Sequence, residues 1–422
     1  MPRLWFAFSV LLFAFCAAQA DEPIKVAAND WPWWRGPNRN GVADANQKPP
    51  LKWSETENVL WKTPVPGKGH GSPIVVGDHV YLPTANQKDE TQSVLCFDRK
   101  SGKQLWHTVV HRGGLIKGGN EKSTLASSTA ACDGKRVFVN FLNKGAIYTT
   151  ALSRDGEQVW QTKVADYTLH QGFPTSPAVY DSLVIVNADN KGTKEKATGL
   201  MAGLERATGK IVWQVERPKL PNYASPIILK IAGRDQLFLT GCDLVASFDP
   251  LTGKKNWEVK GSTEETVTST VTDGKLIVTS GGFPKSHVAA LHADTGKTAW
   301  EIGAKVYVPS MIERGGYLYA VQDAGVAVCW KFDTGKEVWK GRLDGKFSAS
   351  PVLVGDRLFA ISETGRTFIF KAQPDAFDLI AENQLGDEAM ATPVICGSRI
   401  YMRIAVREKG ERQEMLYCVG NP

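Results

Sequence analysis

"FDTGKEVW", residues 332–339, ends on a tryptophan four positions after a glycine, and five further stretches share that plan. They are "DRKSGKQLW" ending at Trp106, "SRDGEQVW" at Trp160, "ERATGKIVW" at Trp213, "DPLTGKKNW" at Trp257 and "HADTGKTAW" at Trp300. Trp61 in "ENVLWKTPV" has the strand without the turn before it. Successive gaps from Trp61 to Trp339 are 45, 54, 53, 44, 43 and 39 residues, the spacing expected when each repeat is one four-stranded propeller blade. Aligning Phe370 with Phe97 puts Leu379 at the next tryptophan position, so the seventh unit is degenerate there.

A second landmark recurs between the tryptophans, among them "GSP" at 71, "TSP" at 175, "ASP" at 224 and 349 and "ATP" at 391. Each precedes two apolar stretches split by a Gly/Asp turn, as in "PVLVGDRLFAI", which reads as an inner hairpin. There are eight such hairpins, and the eighth is followed by one strand, "MLYCVGN", before the chain ends. Residues 57–65 have no blade of their own, so they are expected to complete the last blade and leave no open edge in the ring. The expected fold is all-β, an eight-bladed β-propeller over residues 51–422, preceded by a tryptophan-rich lead-in over 21–50.

In the turns, glycine can take the positive φ of a tight hairpin, while Asp98, Asp249, Asp294 and Asp333 are placed to accept hydrogen bonds from turn amides. A tryptophan on each outermost strand can lie against the neighbouring blade, its indole N–H finding a backbone carbonyl. Trp61, Trp106, Trp160, Trp213, Trp257, Trp300 and Trp339 are therefore expected to be docking residues, since a ligand site needs no seven copies.

The pattern A-x-D-x-x-T-G-K-x-x-W resembles the tryptophan-docking motif of the quinoprotein alcohol dehydrogenase-like superfamily, the PQQ-repeat propellers, over roughly residues 30 to 420. "LHADTGKTAW" and "WKFDTGKEVW" match it closely. The resemblance is specific for fold. For activity it leaves three readings. One is a binding or scaffold propeller acting through its loop face, without chemistry. Another is a quinoprotein oxidoreductase of the alcohol or sugar dehydrogenase type, which implies pyrroloquinoline quinone with calcium held by carboxylate and amide oxygens, a catalytic aspartate, an aromatic floor and often a disulfide between adjacent cysteines. The third is a factor in outer-membrane protein assembly. No adjacent cysteines occur, and no cofactor residue matches by motif, so no catalytic residue, metal ligand or cofactor is assigned.

Residues 1–20 read as a signal peptide: Arg3, an apolar run from Leu4 to Phe15, then Ala18-Gln19-Ala20, with cleavage expected after Ala20. A periplasmic or secreted protein follows, with no membrane span after cleavage. Cys16 follows Ala14 and bulky Phe15, a poor setting for a lipid anchor. The formal charge of +6 comes from 50 basic and 44 acidic residues scattered among one another, which argues against nucleic acid as a partner. The six remaining cysteines are widely spaced and read as small buried hydrophobes, and the protein is expected to be a monomer.

Function is expected on the irregular loops around the mouth of the axial channel. His70, Lys117, Asn120, Tyr167, His170, Tyr223 and His287 sit on these loops and are the candidate site for a protein partner or small ligand. In the lead-in, Trp31, Trp33 and Trp34 next to Arg35 either cover one end of the ring or form a platform for a carbohydrate or a cation.

Overall fold

The structure is a computed structural model that describes residues 22–192 and 199–422; the expected signal peptide lies outside the described residues. Eight four-stranded antiparallel sheets form the ring. Blade 1 runs Ile74–Val76, His79–Asn86, Thr91–Asp98 and Gln104–Arg112 from the axis outward. Blades 2 to 7 repeat this order, their innermost strands being Ala131–Cys132, Ala178–Tyr180, Ile227–Ile231, Val271–Thr272, Ile312–Arg314 and Val352–Val354. Blade 8 takes Val394–Cys396, Arg399–Glu408 and Glu411–Gly420 from the end of the chain and its outer strand, Val59–Val65, from near the start. The closure read from the sequence is present, two residues shorter at its leading end.

Each outer strand joins its neighbour through a register shift next to the tryptophan, as at Cys96/Phe97 before Trp106 and Cys329/Trp330 before Trp339. The shift fixes which residue faces the next blade. In blade 7 the register places Ala381 opposite Ile369, the position that Trp339 holds opposite Cys329. Leu379 pairs with Phe370 and so stands where Gln104 stands in blade 1. The equivalence expected for Leu379 is therefore corrected: the blade 7 turn is two residues longer than its counterparts. Trp53, just after the lead-in, joins the apolar cluster that Ile380 and Ala381 pack against, and its backbone N–H donates to Asn383 Oδ1 at 2.9 Å.

The tryptophans do dock. The indole N–H groups of Trp61, Trp106, Trp160, Trp257, Trp300 and Trp339 donate to Arg99, Arg154, Arg206, Ala293, Phe332 and Gln373 carbonyls, all in the next blade's turn, at 2.8–3.2 Å. Trp213 Nε1 is buried without a partner. Each ring lies on the turn glycine of the following blade: a Cβ on Gly209 would sit 2.5 Å from Trp160 Cε3, and one on Gly335 2.6 Å from Trp300 Cε3. The glycine thus serves two ends, a positive φ and a flat seat for the indole. Trp339 has no such seat and packs on Phe377, ring centroids 5.6 Å apart.

The turn aspartates divide. Asp98 Oδ1 accepts from Ser101 N–H at 2.7 Å, and Asp249 Oδ1 from Leu251 and Thr252 N–H at 3.0 and 2.9 Å. Asp294 and Asp333 do not play that part; each receives only the hydroxyl of the threonine beside it, at 3.4 and 3.2 Å. They stand two residues before the glycine rather than four, and the tight turn leaves no amide facing them.

The lead-in closes the end of the channel opposite the long loops. Trp31 N–H donates to Val75 O, Cys132 N–H to Pro32 O and Ala43 N–H to Leu353 O, so one segment ties blades 1, 2 and 7 together. Arg35 is fully buried, its guanidinium donating to the carbonyls of Asn40, Met311 and Pro351. Burial without a facing carboxylate lowers its pKa to about 9. Trp31 and Trp33 are buried, with Arg39 rather than Arg35 stacked 4.4 Å over Trp33. A three-ring platform open to solvent is not formed.

Candidate functional site

On the loop face the channel opens into a cavity of about 700 Å³. Its deep wall is made by the Ser/Thr landmark before each innermost strand. Ser72, Thr129 and Ser176 N–H groups donate to the hydroxyls of Thr129, Ser176 and Ser225, and Ser269, Ser310 and Ser350 to those of Ser310, Ser350 and Thr392, at 2.9–3.0 Å. These six links make a girdle in two arcs. One arc ends at Ser269, whose hydroxyl accepts the Trp34 indole N–H at 2.9 Å; the other begins at Ser72, whose Oγ is buried without a partner. The landmark was visible in the sequence as a repeat, but hydroxyl-to-amide bonding between blades is a property of the closed ring.

Four of the seven expected residues line this cavity: His70, Asn120, His170 and Tyr223. Three do not. Lys117 is exposed away from it. Tyr167 is buried beneath the blade 3 loop, its hydroxyl donating to Gly172 O at 3.1 Å and its ring edge-on to Phe173. His287 begins a strand of blade 5 and faces Glu301 at 3.4 Å. Loop position alone does not separate residues that point inward from those that brace the loop.

Sequence reasoning missed the carboxylates. Glu265, 3% exposed, accepts the Tyr307 hydroxyl at 2.7 Å, and its Oε1 lies 3.3 Å from His170 Nδ1. That same nitrogen lies 3.1 Å from the Tyr223 hydroxyl. Asp323 accepts the backbone N–H groups of Tyr307 and Val308 at 2.9 and 3.1 Å; burial outweighs these bonds and raises its pKa. Glu363 binds Lys122 at 2.7 Å and Ser348 Oγ at 2.7 Å. Lys122 belongs to the loop entering blade 2 and Glu363 to blade 7, so this ion pair crosses the mouth as a strap. Their lone signals, single acids in turns and loops, resemble those of ordinary solvated residues.

His70 lies at the blade 8 side of the mouth with Nε2 buried and unpartnered. Burial first, then Lys68 and Arg403, lower its pKa to about 3, so it is a neutral imidazole. Below it Arg403 and Glu414 form a buried pair, extended by Arg412 to Glu388 at 2.8 Å. Tyr223 and Tyr307 are pushed up by burial and stay protonated.

The quinone cofactor that the resemblance implies carries several carboxylates and a companion cation. The residues here do not fit it. Of the acids of the mouth, Glu363 is neutralised by a lysine, and Asp323 and Glu265, which accept two amides and a phenol, stand singly rather than grouped around one metal position. Glu265 and Asp323 are held apart by the length of Tyr307, and among the described residues no three His, Cys, Asp or Glu side chains converge. All six described cysteines are free and buried.

Fold and repeat define the class, a PQQ-repeat β-propeller of eight blades. The family described as outer membrane protein assembly factor BamB matches residues 51–166, 90–282 and 284–374, and the chain belongs to it. Among individual proteins, it is 25% identical over 365 residues to the outer membrane protein assembly factor BamB of Burkholderia pseudomallei (strain K96243), covering 81% of this chain and 84% of that one. It is 28% identical over 237 residues to the quinoprotein glucose dehydrogenase of Escherichia coli (strain K12), covering 47% of this chain and 28% of the enzyme. The quinohemoprotein alcohol dehydrogenase from Comamonas testosteroni shares the fold with a TM-score of 0.65 at 14% identity, covering 93% of this chain and 81% of that one.

Proposed function

We propose that this is an exported binding propeller, without chemistry of its own, that receives a partner segment or small ligand in the mouth on its loop face. The observation that carries this reading is the cavity itself. It has one open end and a floor sealed by the lead-in, and Phe173, Val267, Phe283, Tyr307, Phe347 and Met390 give it apolar surface among the hydroxyl, imidazole and charged side chains that line the rest. A photo-crosslinking residue at Val267 should capture a partner in envelope preparations, and one at exposed Leu251, on the opposite face, should not. Capture at Leu251 alone would overturn the reading.

Outer-membrane protein assembly is the form of this function that the family match and the Burkholderia relative favour. It requires the species captured at Val267 to be a membrane-assembly protein. Quinoprotein oxidation is the rival. It predicts dye reduction with an alcohol or sugar once cofactor and calcium are supplied, and a rise in melting temperature on adding them.

A further inference from the structure

The mouth is chemically lopsided. On the side of blades 3 to 6, two carboxylates, Glu265 and Asp323, face a space walled by the rings of Tyr223, Tyr307 and Phe283. Among the described residues, the ion-pair partner in reach of either acid is His170, 3.3 Å from Glu265 and charged only when protonated. Lys122 cannot serve, because Glu363 holds it across the strap at 2.7 Å. Carboxylates at least half buried, whose contacting donors are neutral, keep an attraction for positive charge that Lys305, acting on Asp323 from beyond ion-pair distance, does not meet, and aromatic faces add to it.

The opposite side, at blades 8 and 1, is neutral. Ser72 Oγ, on a residue 3% exposed, and His70 Nε2 both line the same cavity, and both atoms are buried without a partner. Buried polar atoms of this kind call for a hydrogen-bonding group from elsewhere. Resting on the proposed binding function, we infer that the mouth is a receptor for an organic cation: an alkylammonium or guanidinium drawn into the space between Glu265 and Asp323, on a ligand whose neutral polar end reaches Ser72 and His70. A lysine or arginine side chain on a peptide has this form, the backbone amide being the neutral end; a free diamine has the cation without it.

The test is titration of the full chain, followed by NMR or calorimetry, with the tripeptides Ala-Lys-Ala, Ala-Arg-Ala and Ala-norleucine-Ala and with 1,5-diaminopentane. The cationic peptides should bind and the norleucine peptide should not. Glu265→Gln and Asp323→Asn should each weaken binding about tenfold or more, as loss of a charge-assisted contact does. Ser72→Ala should weaken the peptides and leave the diamine unchanged; equal binding of peptide and diamine in both proteins would make a small amine the source. Circular dichroism and melting temperature confirm that each variant is folded, and Asp323→Asn preserves the Tyr307 to Glu265 contact should Glu265→Gln not fold. Binding of the norleucine peptide as tightly as the lysine peptide overturns the cation assignment while leaving the mouth a binding site. Calcium displacing the peptides stoichiometrically makes the acids a metal site and overturns it too. If no probe binds at millimolar concentration the inference fails, and crosslinking at Val267 then decides the broader reading on its own.

Discussion

Substituting Gly209 by alanine isolates the seat on which a docking tryptophan rests. Two penalties arise. Gly209 has φ +74°, so any L side chain there is strained, and its Cβ would lie 2.5 Å from Trp160 Cε3 and 2.7 Å from Thr162 Oγ1. The first penalty is about 1–2 kcal/mol for a left-handed alanine. The second is about 1–3 kcal/mol for an overpacked interface. Gly145 supplies the control, because it has φ +70° in a blade 2 hairpin and nothing within 4 Å of its would-be Cβ. Gly145→Ala should therefore show the backbone penalty alone, and Gly209→Ala should exceed it by about 1–3 kcal/mol in urea unfolding at unchanged m-value. Trp160→Ala costs about 3–5 kcal/mol by itself. In that background the excess at Gly209 should shrink to what the Thr162 Oγ1 contact alone imposes, because the indole it collides with has gone. Equal losses for the two glycine variants, or full additivity of Gly209→Ala with Trp160→Ala, would refute docking as the reason for glycine.

Trp213→Phe should be milder than Trp160→Phe or Trp257→Phe by about 1 kcal/mol, since its N–H has no acceptor to lose; thermal unfolding of the three variants checks this. His70 has a folded pKa of about 3, below the ordinary 6.5, so the unfolded chain binds the proton first. Its contribution is whole above about pH 6.5 and is lost as pH falls toward 3, at up to about 1.4 kcal/mol per pH unit. His70→Asn should flatten the acid limb of melting temperature against pH, with His111, lowered by burial to about 4, supplying part of the slope that remains. Glu363→Gln should raise hydrogen exchange in residues 113–126 by freeing Lys122, with melting temperature almost unchanged because Lys122 is half exposed.

The ring was legible because its signals are local and repeated. A glycine and a tryptophan four residues apart specify turn and outer strand, and the missing fourth strand of the last unit announced the closure. Leu379 was misaligned because an aromatic anchor, Phe370, was matched across a turn whose length had changed. The mouth was only half legible. Histidines and tyrosines in long loops drew attention to His70, Asn120, His170 and Tyr223, yet Tyr167 braces its loop from below and His287 sits in a strand. Glu265, Asp323 and Glu363 gain their meaning from three different blades meeting, which no spacing along the chain encodes.

The pairing of Val59–Val65 with Glu411–Gly420 makes the two far ends of the propeller a single clasp. Its first half is synthesised long before its second, so the early strand has no mate until the eighth blade has been made. Completion of the circle then reports that every intervening sheet has formed in the right number, and a chain cut short by ten residues would present bare strand edges to proteases instead of a sealed rim.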